Sequence, residues 1–135
     1  MTPVLVDANI LIDIATDDPG WGDWSADQLA RAGSGARLVI NPIIYAELSV
    51  AHSRIETLEA LLPESLFSRE PLPWPAAFLA GKAFLAYRRR GGARRSPLPD
   101  FYIGAHAAIR GYRLLTRDAA RYRTYFPTLA IIAPG

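Results

Sequence analysis

The stretch "PVLVDANILID", residues 3–13, joins a short apolar run to a carboxylate and then becomes apolar again. "PVLVD" has the composition of a buried strand, and residues 8–15 continue as a short helix. Asp7 therefore stands where the first strand ends. In open α/β sheets, ligands bind beyond the carboxyl ends of the strands. Asp7 either caps the helix that follows or contributes to such a site, and this stretch alone leaves both open.

The rest of the chain repeats the alternation of strand and helix. Further strands are predicted at "ARLVI" (36–40), "YRLLT" (112–116) and "TLAIIA" (128–133). Further helices are predicted over residues 25–32, 41–52, 54–62, 75–90, 99–111 and 117–126. This order predicts an α/β fold with a mainly parallel sheet, in a single domain over residues 1–135.

Capping and turn residues set the predicted boundaries. Ser25 and Asn41 are suitable N-caps, and Pro42 suits the first position of its helix. Gly111 is a suitable stop for the helix that begins at Pro99. Residues 63–75 contain four prolines and are predicted to form a loop.

Composition narrows the class of protein. Half of the residues are hydrophobic, as in an ordinary folded domain, and no apolar run approaches the roughly 18 residues of a membrane span. Acidic residues interrupt the N-terminal segment early, so we expect no signal peptide and no membrane association. The absence of cysteine excludes disulfides and thiolate metal sites and is compatible with a cytoplasmic location.

Charge is distributed unevenly along the chain. Residues 1–80 carry a net charge of −7 and residues 81–135 a net charge of +9, although the whole chain is only +2. Fourteen of the fifteen basic residues are arginine, which suits bidentate contact with phosphate. The basic half indicates a polyanionic partner, but GC-rich coding would produce the same enrichment in arginine.

Glu47 interrupts an apolar helix face. In "PIIYAELSVA" the residues four and three before it, and one and four after it, are all apolar: Ile43, Ile44, Leu48 and Ala51. These positions share one side of a helix, so the carboxylate points inward. A buried charge without a partner is very unfavourable. Glu47 therefore needs either a buried arginine or a cation.

Asp100 and Asp118 each stand close to the start of a helix, where an acidic residue is favourable by roughly 0.3–1 kcal/mol. Each is explained singly as a helix-terminal residue. If the sheet brings them together with Asp7 and Glu47, each pair of like charges at about 4 Å repels by roughly 4 kcal/mol. Such a cluster must take up protons or bind a cation. Oxygen ligands favour Mg²⁺ or Mn²⁺, and beside a basic surface this arrangement suits phosphodiester chemistry.

Four segments together resemble a known family. "VDANILIDI", "NPIIYAEL", "LPDFYIGAHAA" and "LLTRDAARY" follow one another in the order and spacing of the PIN domain, and they are most similar to the bacterial toxin ribonucleases of VapC type. The resemblance covers essentially the whole chain. It implies a PIN-like three-layer α/β/α sandwich with a mainly parallel central sheet. It also implies the toxin of a type II toxin–antitoxin system, an Mg²⁺- or Mn²⁺-dependent endoribonuclease that a cognate antitoxin inhibits.

The resemblance assigns roles to individual residues. The family's acidic quartet, which is catalytic and binds the metal, falls on Asp7, Glu47, Asp100 and Asp118. Its polar accessory positions fall on Asn9 and Thr116.

The segment "YRRRGGARR", residues 87–95, is the strongest candidate for contact with RNA, because phosphate contacts position nucleic acid without reading its sequence. The RNA-binding candidates are Arg88, Arg89, Arg90, Arg94, Arg95 and Arg117. A solvated helix end, at which arginine favours the helix dipole, is the alternative. We also expect a homodimer, for which the small residues Ala80, Gly81 and Ala83 would permit close packing of helices.

Two other functions are compatible with parts of the sequence pattern: a phosphatase and a non-catalytic binding module. A phosphatase with an aspartyl nucleophile usually has a second acid two positions later, where this chain has Asn9. A non-catalytic PIN-like module would bind RNA or a partner protein without cutting, and the acidic cluster would then be a docking site. His106 is predicted to be structural, and Trp21 and Trp24 either cover the edge of the core or form an interface.

Overall fold

The computed structural model describes all 135 residues as five strands and seven helices. The strands are β1 (Val4–Val6), β2 (Leu38–Ile40), β3 (Phe67–Arg69), β4 (Arg113–Leu115) and β5 (Ile131–Ile132). The helices are α1 (Ala8–Ala15), α2 (Gly22–Gly35), α3 (Pro42–Ser49), α4 (Ile55–Leu61), α5 (Trp74–Arg89), α6 (Pro99–Arg110) and α7 (Ala120–Tyr125). None of the helices is both long and apolar enough to cross a membrane.

The strands form one parallel sheet in the order β3-β2-β1-β4-β5. Val4 in β1 lies opposite Leu38 on one side and Arg113 on the other. The chain builds outward from β1 to β3 and then returns to add β4 and β5 on the other side. The carboxyl ends of β1 and β4 therefore flank the point where the strand order reverses, which is where such sheets bind ligands. The predicted three-layer sandwich with a mainly parallel sheet is confirmed.

Burial follows from this layering. All residues of β1 and β2 are buried, as expected for parallel strands covered on both faces. They belong to one cluster of 26 buried apolar residues. Each fully buried Leu, Ile or Val side chain contributes about 1.5–3 kcal/mol to the free energy of unfolding. The sheet is thus a rigid platform for the polar residues at its edge.

Small residues set the spacing between the helices beside this sheet. Ala80 and Ala83 are buried where α5 packs on α6, whereas a side chain at Gly81 would meet open space. Two of the three small residues expected at a dimer interface therefore serve packing within the chain. A Cβ at Gly104 in α6 would overlap the ring of Phe126, so this glycine permits α7 to approach closely and bring Tyr122 under the sheet edge.

Three local predictions are wrong. Residues 67–69, predicted as loop, form the edge strand β3, because its backbone pairs with β2 even though prolines flank it and only Phe67 is buried. Ser25 is not an N-cap. The helix α2 begins three residues earlier, and the buried Ser25 hydroxyl donates to Asp13 instead. The last helix starts at Ala120, not at 117, whereas the predicted stop of α6 at Gly111 is confirmed by its left-handed backbone (φ 69°).

Candidate active site

Asp7 is buried at the carboxyl end of β1 and also caps α1. Its Oδ1 accepts a hydrogen bond from the backbone N–H of Ala8 at 2.8 Å. Its Oδ2 accepts hydrogen bonds from the hydroxyls of Tyr122 at 2.8 Å and Thr116 at 2.9 Å. Burial raises the pKa of Asp7 to about 6, and these hydrogen bonds only partly oppose it. The predicted cap is therefore confirmed, and the raised pKa is what a role of Asp7 in a ligand site would also require.

Asn9 and Thr116 connect the ends of β1 and β4. The Asn9 amide donates to Thr116 Oγ1 at 3.2 Å, and its Oδ1 accepts from the backbone N–H of Arg117 at 3.1 Å. Thr116 Oγ1 also accepts from the backbone N–H of Asp118 at 3.2 Å. The two predicted accessory residues thus fix the segment that carries Asp118 against Asp7.

Glu47 lies on α3, which follows β2. Asn41 caps this helix by accepting from the N–H of Ile44 at 2.9 Å, as predicted. Glu47 Oε1 is buried and has no hydrogen-bond partner, the one such side-chain atom in the protein. Burial raises the pKa of Glu47 to about 7, with further contributions from the charges of Asp7 and Asp100. The buried arginine that would have explained this residue structurally is absent.

Asp100 lies in the first turn of α6, but its side chain makes no capping bond. Burial raises its pKa, the nearby Arg121 opposes that rise, and the charge of Asp118 adds to it. Arg121 Nη1 lies 3.4 Å from Asp100 Oδ2. Asp118 itself is exposed and lines the same cavity as Asp100.

The four acidic residues therefore reach one edge of the sheet from four different elements. No three of them form a ready coordination shell. The donors are all carboxylate oxygens, which Mg²⁺ and Mn²⁺ prefer, and Glu47 Oε1 is a buried acceptor without a donor. Burial is the main cause of the raised pKa values of Asp7, Glu47 and Asp100, and repulsion from neighbouring carboxylates adds to each of them. A divalent cation would relieve that repulsion. The chemistry of these donors fits such an ion, while their positions in this structure do not complete its coordination.

His106 contacts Asn41, the N-cap of the helix α3 that carries Glu47. It is fully buried, with Nδ1 lying 2.9 Å from the Asn41 amide nitrogen and Nε2 lying 3.3 Å from Glu70 Oε1. Since the Asn41 amide donates to Nδ1, the ring carries its proton on Nε2. Burial lowers the pKa of His106. The ring thus holds the cap of α3, which matches the structural role predicted for it.

The predicted RNA-binding arginines divide into two groups. Those of residues 87–95 are all exposed. Arg117 is only partly exposed: its guanidinium binds Asp13 and lies 5.7 Å from the centroid of the Trp21 ring. Trp24 packs against the core, as expected of a residue at its edge.

Sequence reasoning missed Tyr122 and Arg121. Tyr122 is buried and its hydroxyl lies 2.8 Å from Asp7 and 3.5 Å from Asp100, so it joins the carboxylate at the end of β1 to the carboxylate on α6. Burial, followed by the charges of Asp7 and Asp100, raises the pKa of its phenol well above 10. Nothing local in "RDAARYRTYF" distinguishes this tyrosine from Tyr125, because only the packing of α7 against α6 directs it to the site.

The PIN domain family model matches residues 4–127. The chain therefore belongs to the PIN domain family. No curated protein matches it at a significant level.

Solved structures share the fold over nearly the whole chain. The VapBC2 structure from Rickettsia felis, bound to a promoter DNA fragment, has a TM-score of 0.75 at 17% identity. The match covers 98% of this chain and 99% of the Rickettsia felis chain. VapBC-1 from nontypeable Haemophilus influenzae has a TM-score of 0.73 at 20% identity, with 97% of each chain covered. DNA-bound VapBC from Salmonella typhimurium has a TM-score of 0.73 at 20% identity, with 98% of each covered.

Proposed function

We propose that this protein is the toxin of a type II toxin–antitoxin system and acts as an Mg²⁺- or Mn²⁺-dependent endoribonuclease. One observation carries the proposal: buried Asp7 at the carboxyl end of β1 and half-buried Glu47 on α3 both have raised pKa values, the charge of Asp7 acts on Glu47, and Glu47 Oε1 has no partner. Groups perturbed in this way are typical of functional sites. Membership of the PIN family and the fold shared with VapBC structures support it.

Asp7 and Asp100 would be the principal metal ligands, with Glu47 and Asp118 binding directly or through water. A bound ion would lower the pKa of a coordinated water and stabilise charge on the phosphate and the leaving oxygen. The chain's own groups orient the ligands. The hydroxyls of Tyr122 and Thr116 fix Oδ2 of Asp7, and Asn9 fixes the segment before Asp118.

RNA would be held by residues 87–95, which form the end of α5 and the turn after it and are called the arginine loop below. Its five arginines are exposed and lie shortly before Asp100 in the chain. We also propose a cognate antitoxin as partner, since VapBC complexes share the fold. A homodimer would use the exposed face of α5, where Trp74, Phe78 and Leu85 are accessible to solvent. The cysteine-free sequence suits a cytoplasmic protein.

The proposal is tested by incubating total cellular RNA with the purified, antitoxin-free protein in Mg²⁺, in Mn²⁺ and in EDTA. We expect discrete fragments with either metal and none in EDTA. Asp7→Ala should remove cleavage while the protein stays folded, whereas Asp23→Ala, which alters an exposed acid on α2, should cleave normally. Cleavage that persists in EDTA or in Asp7→Ala would contradict the assignment.

One observation favours a second function. Because no three acidic side chains form a ready shell, the site also suits a non-catalytic module that binds RNA or a basic segment of a partner. Folded protein that binds RNA but cuts none in either metal would establish that alternative.

A further inference from the structure

A cavity of about 390 Å³ opens beside Asp100 and Asp118, between the C-terminal end of α5 and α7. Tyr87 and Tyr125 form its aromatic walls. Asp100 and Asp118 belong to the proposed metal site, whereas the rest of the cavity and the two tyrosines have no role in it. Its volume lies within the range of small-molecule sites.

The two tyrosines are held firmly and have unused polar groups. Their ring centroids lie 6.4 Å apart, and each packs edge-to-face on the buried Phe101, at 5.6 Å for Tyr87 and 5.4 Å for Tyr125. Both side chains are half-buried. Neither hydroxyl has a hydrogen-bond partner in the protein, whereas the hydroxyls of Tyr45, Tyr112 and Tyr122 all do. The cavity therefore presents apolar ring surface together with free donors and acceptors.

The arginine loop is attached to the rim of this cavity. The backbone N–H of Gly92 donates to the carbonyl of Tyr87 at 3.1 Å, and a Cβ at Gly92 would overlap the Tyr87 ring. The guanidinium of Arg90 lies 5.4 Å from the centroid of the Tyr125 ring. A chain of phosphates bound by the loop would thus run along the edge of the cavity.

The charges that line the cavity favour a neutral ligand over an anionic one. Within the cavity Arg121 is already paired with Asp100, and Asp118 adds a second negative charge. Where no cation is bound to these carboxylates, they repel an anionic phosphate, since like charges separated by a few ångströms are unfavourable. A neutral planar group with hydrogen-bonding edges would be accepted. Nucleobases have this character, and they stack on aromatic side chains whatever their sequence.

We propose that this cavity binds an unpaired nucleobase of the RNA, next to the scissile phosphate, against the wall formed by Tyr87 and Tyr125. The inference rests on the proposed function and adds two side chains that position its substrate. The backbone on one side follows the arginine loop, and the backbone on the other enters the carboxylate edge.

The test measures binding in EDTA, where no cleavage interferes. Two labelled oligonucleotides of equal length are compared by fluorescence anisotropy: an unstructured RNA and a version with abasic sugars throughout. Tyr125→Leu and Tyr87→Leu should each weaken binding of the RNA by about tenfold. Neither change should affect the abasic oligonucleotide. Arg89→Ala, a change in the same loop without a contact to either tyrosine, should weaken binding of both oligonucleotides alike.

If a leucine variant loses equal affinity for the two oligonucleotides, or loses none for either, the proposed base subsite is wrong. If a leucine variant does not fold, wild-type protein is titrated with RNAs carrying one abasic position each. One position should then lose about tenfold in affinity, and a uniform response along the RNA would overturn the proposal. If binding depends on the bases but no RNA is cleaved, the base subsite is supported and the endoribonuclease activity is contradicted. If RNA is cleaved but binding does not depend on the bases, the activity is supported and the base subsite is contradicted.

Discussion

The guanidinium of Arg117 binds the carboxylate of Asp13 through two hydrogen bonds, from Nε to Oδ2 at 2.7 Å and from Nη2 to Oδ1 at 3.1 Å. Asp13 is almost fully buried on α1 and also accepts from the hydroxyl of Ser25 on α2 at 2.9 Å. The backbone N–H of Arg117 donates to Asn9. The pair therefore joins α1 and α2 to the segment that carries Asp118.

Replacing Asp13 by Ala should destabilise the protein strongly. Breaking a fully buried ion pair costs roughly 3–5 kcal/mol, and the cost here should lie towards the lower end because the Arg117 side chain is 32% exposed. Urea unfolding measures the change. Asp27→Ala breaks the exposed Arg31–Asp27 pair and should cost less than about 1 kcal/mol. Similar losses in the two variants would show that the Asp13 pair has no special structural role.

The stability of the metal-free protein should depend on the ionisation of Asp7. Its pKa of about 6 in the folded state exceeds the ordinary value of 3.8, so between these values the folded state binds a proton that the unfolded state does not. Stability from this group is thus greatest at low pH and is lost as pH rises through about 6. The difference amounts to about 3 kcal/mol.

Asp7→Asn removes that dependence, and unfolding in urea with EDTA at pH 5 and pH 8 measures it. The free energy of unfolding of the wild type should fall relative to that of the variant as pH rises. His106, whose pKa is lowered by burial, gives the opposite trend below pH about 6.5, but it is present in both proteins and cancels. Parallel pH profiles would mean that Asp7 is not perturbed.

Tyr122→Phe should shift the pH dependence of cleavage. The variant keeps the buried ring but loses the hydrogen bond to Asp7, which stabilises the carboxylate by roughly 1.5–3 kcal/mol. The pKa of Asp7 should rise, and the acid limb of the pH–rate profile should move to higher pH. Tyr45→Phe, which loses an exposed hydrogen bond to Glu59, is the matched control. A profile that moves equally in both variants would contradict the coupling.

The arginine loop should account for part of the salt dependence of RNA binding. Each phosphate contact with single-stranded nucleic acid contributes about 0.7 to the slope of log affinity against log salt concentration. Changing Arg89 and Arg95 to Ala together should lower the slope by up to about 1.4. Arg31→Ala, on the exposed side of α2, should leave it unchanged. An unaltered slope in the loop variant would place the RNA elsewhere.

The sequence predicted the parallel sheet and identified the four carboxylates as candidates because both depend on local pattern. Apolar strands, caps and the position of Glu47 within an apolar stripe are all visible in short segments. The edge strand β3 was not predicted, because a three-residue strand between prolines is recognised only by its pairing with β2.

The contacts that sequence reasoning missed join residues that are far apart in the chain. The bond between Tyr122 and Asp7 spans 115 residues, and that between Arg117 and Asp13 spans 104. Arg117 looked like one more cation of a basic half, and only the buried acid on α1 reveals its second role. Such pairs arise from tertiary packing, for which a single sequence has no local signal.

The central claim is that the carboxylates at the sheet edge hold a divalent ion. Calorimetric titration of the protein with Mn²⁺ at pH 6.5, in two buffers with different ionisation enthalpies, measures both affinity and proton release. Because the pKa values of Asp7 and Glu47 are about 6 and 7, binding should release about one proton per ion. Asp7→Asn should abolish tight binding, and Asp23→Asn should not. An absence of Mn²⁺ binding by folded wild-type protein, or binding that survives Asp7→Asn without proton release, would contradict the account.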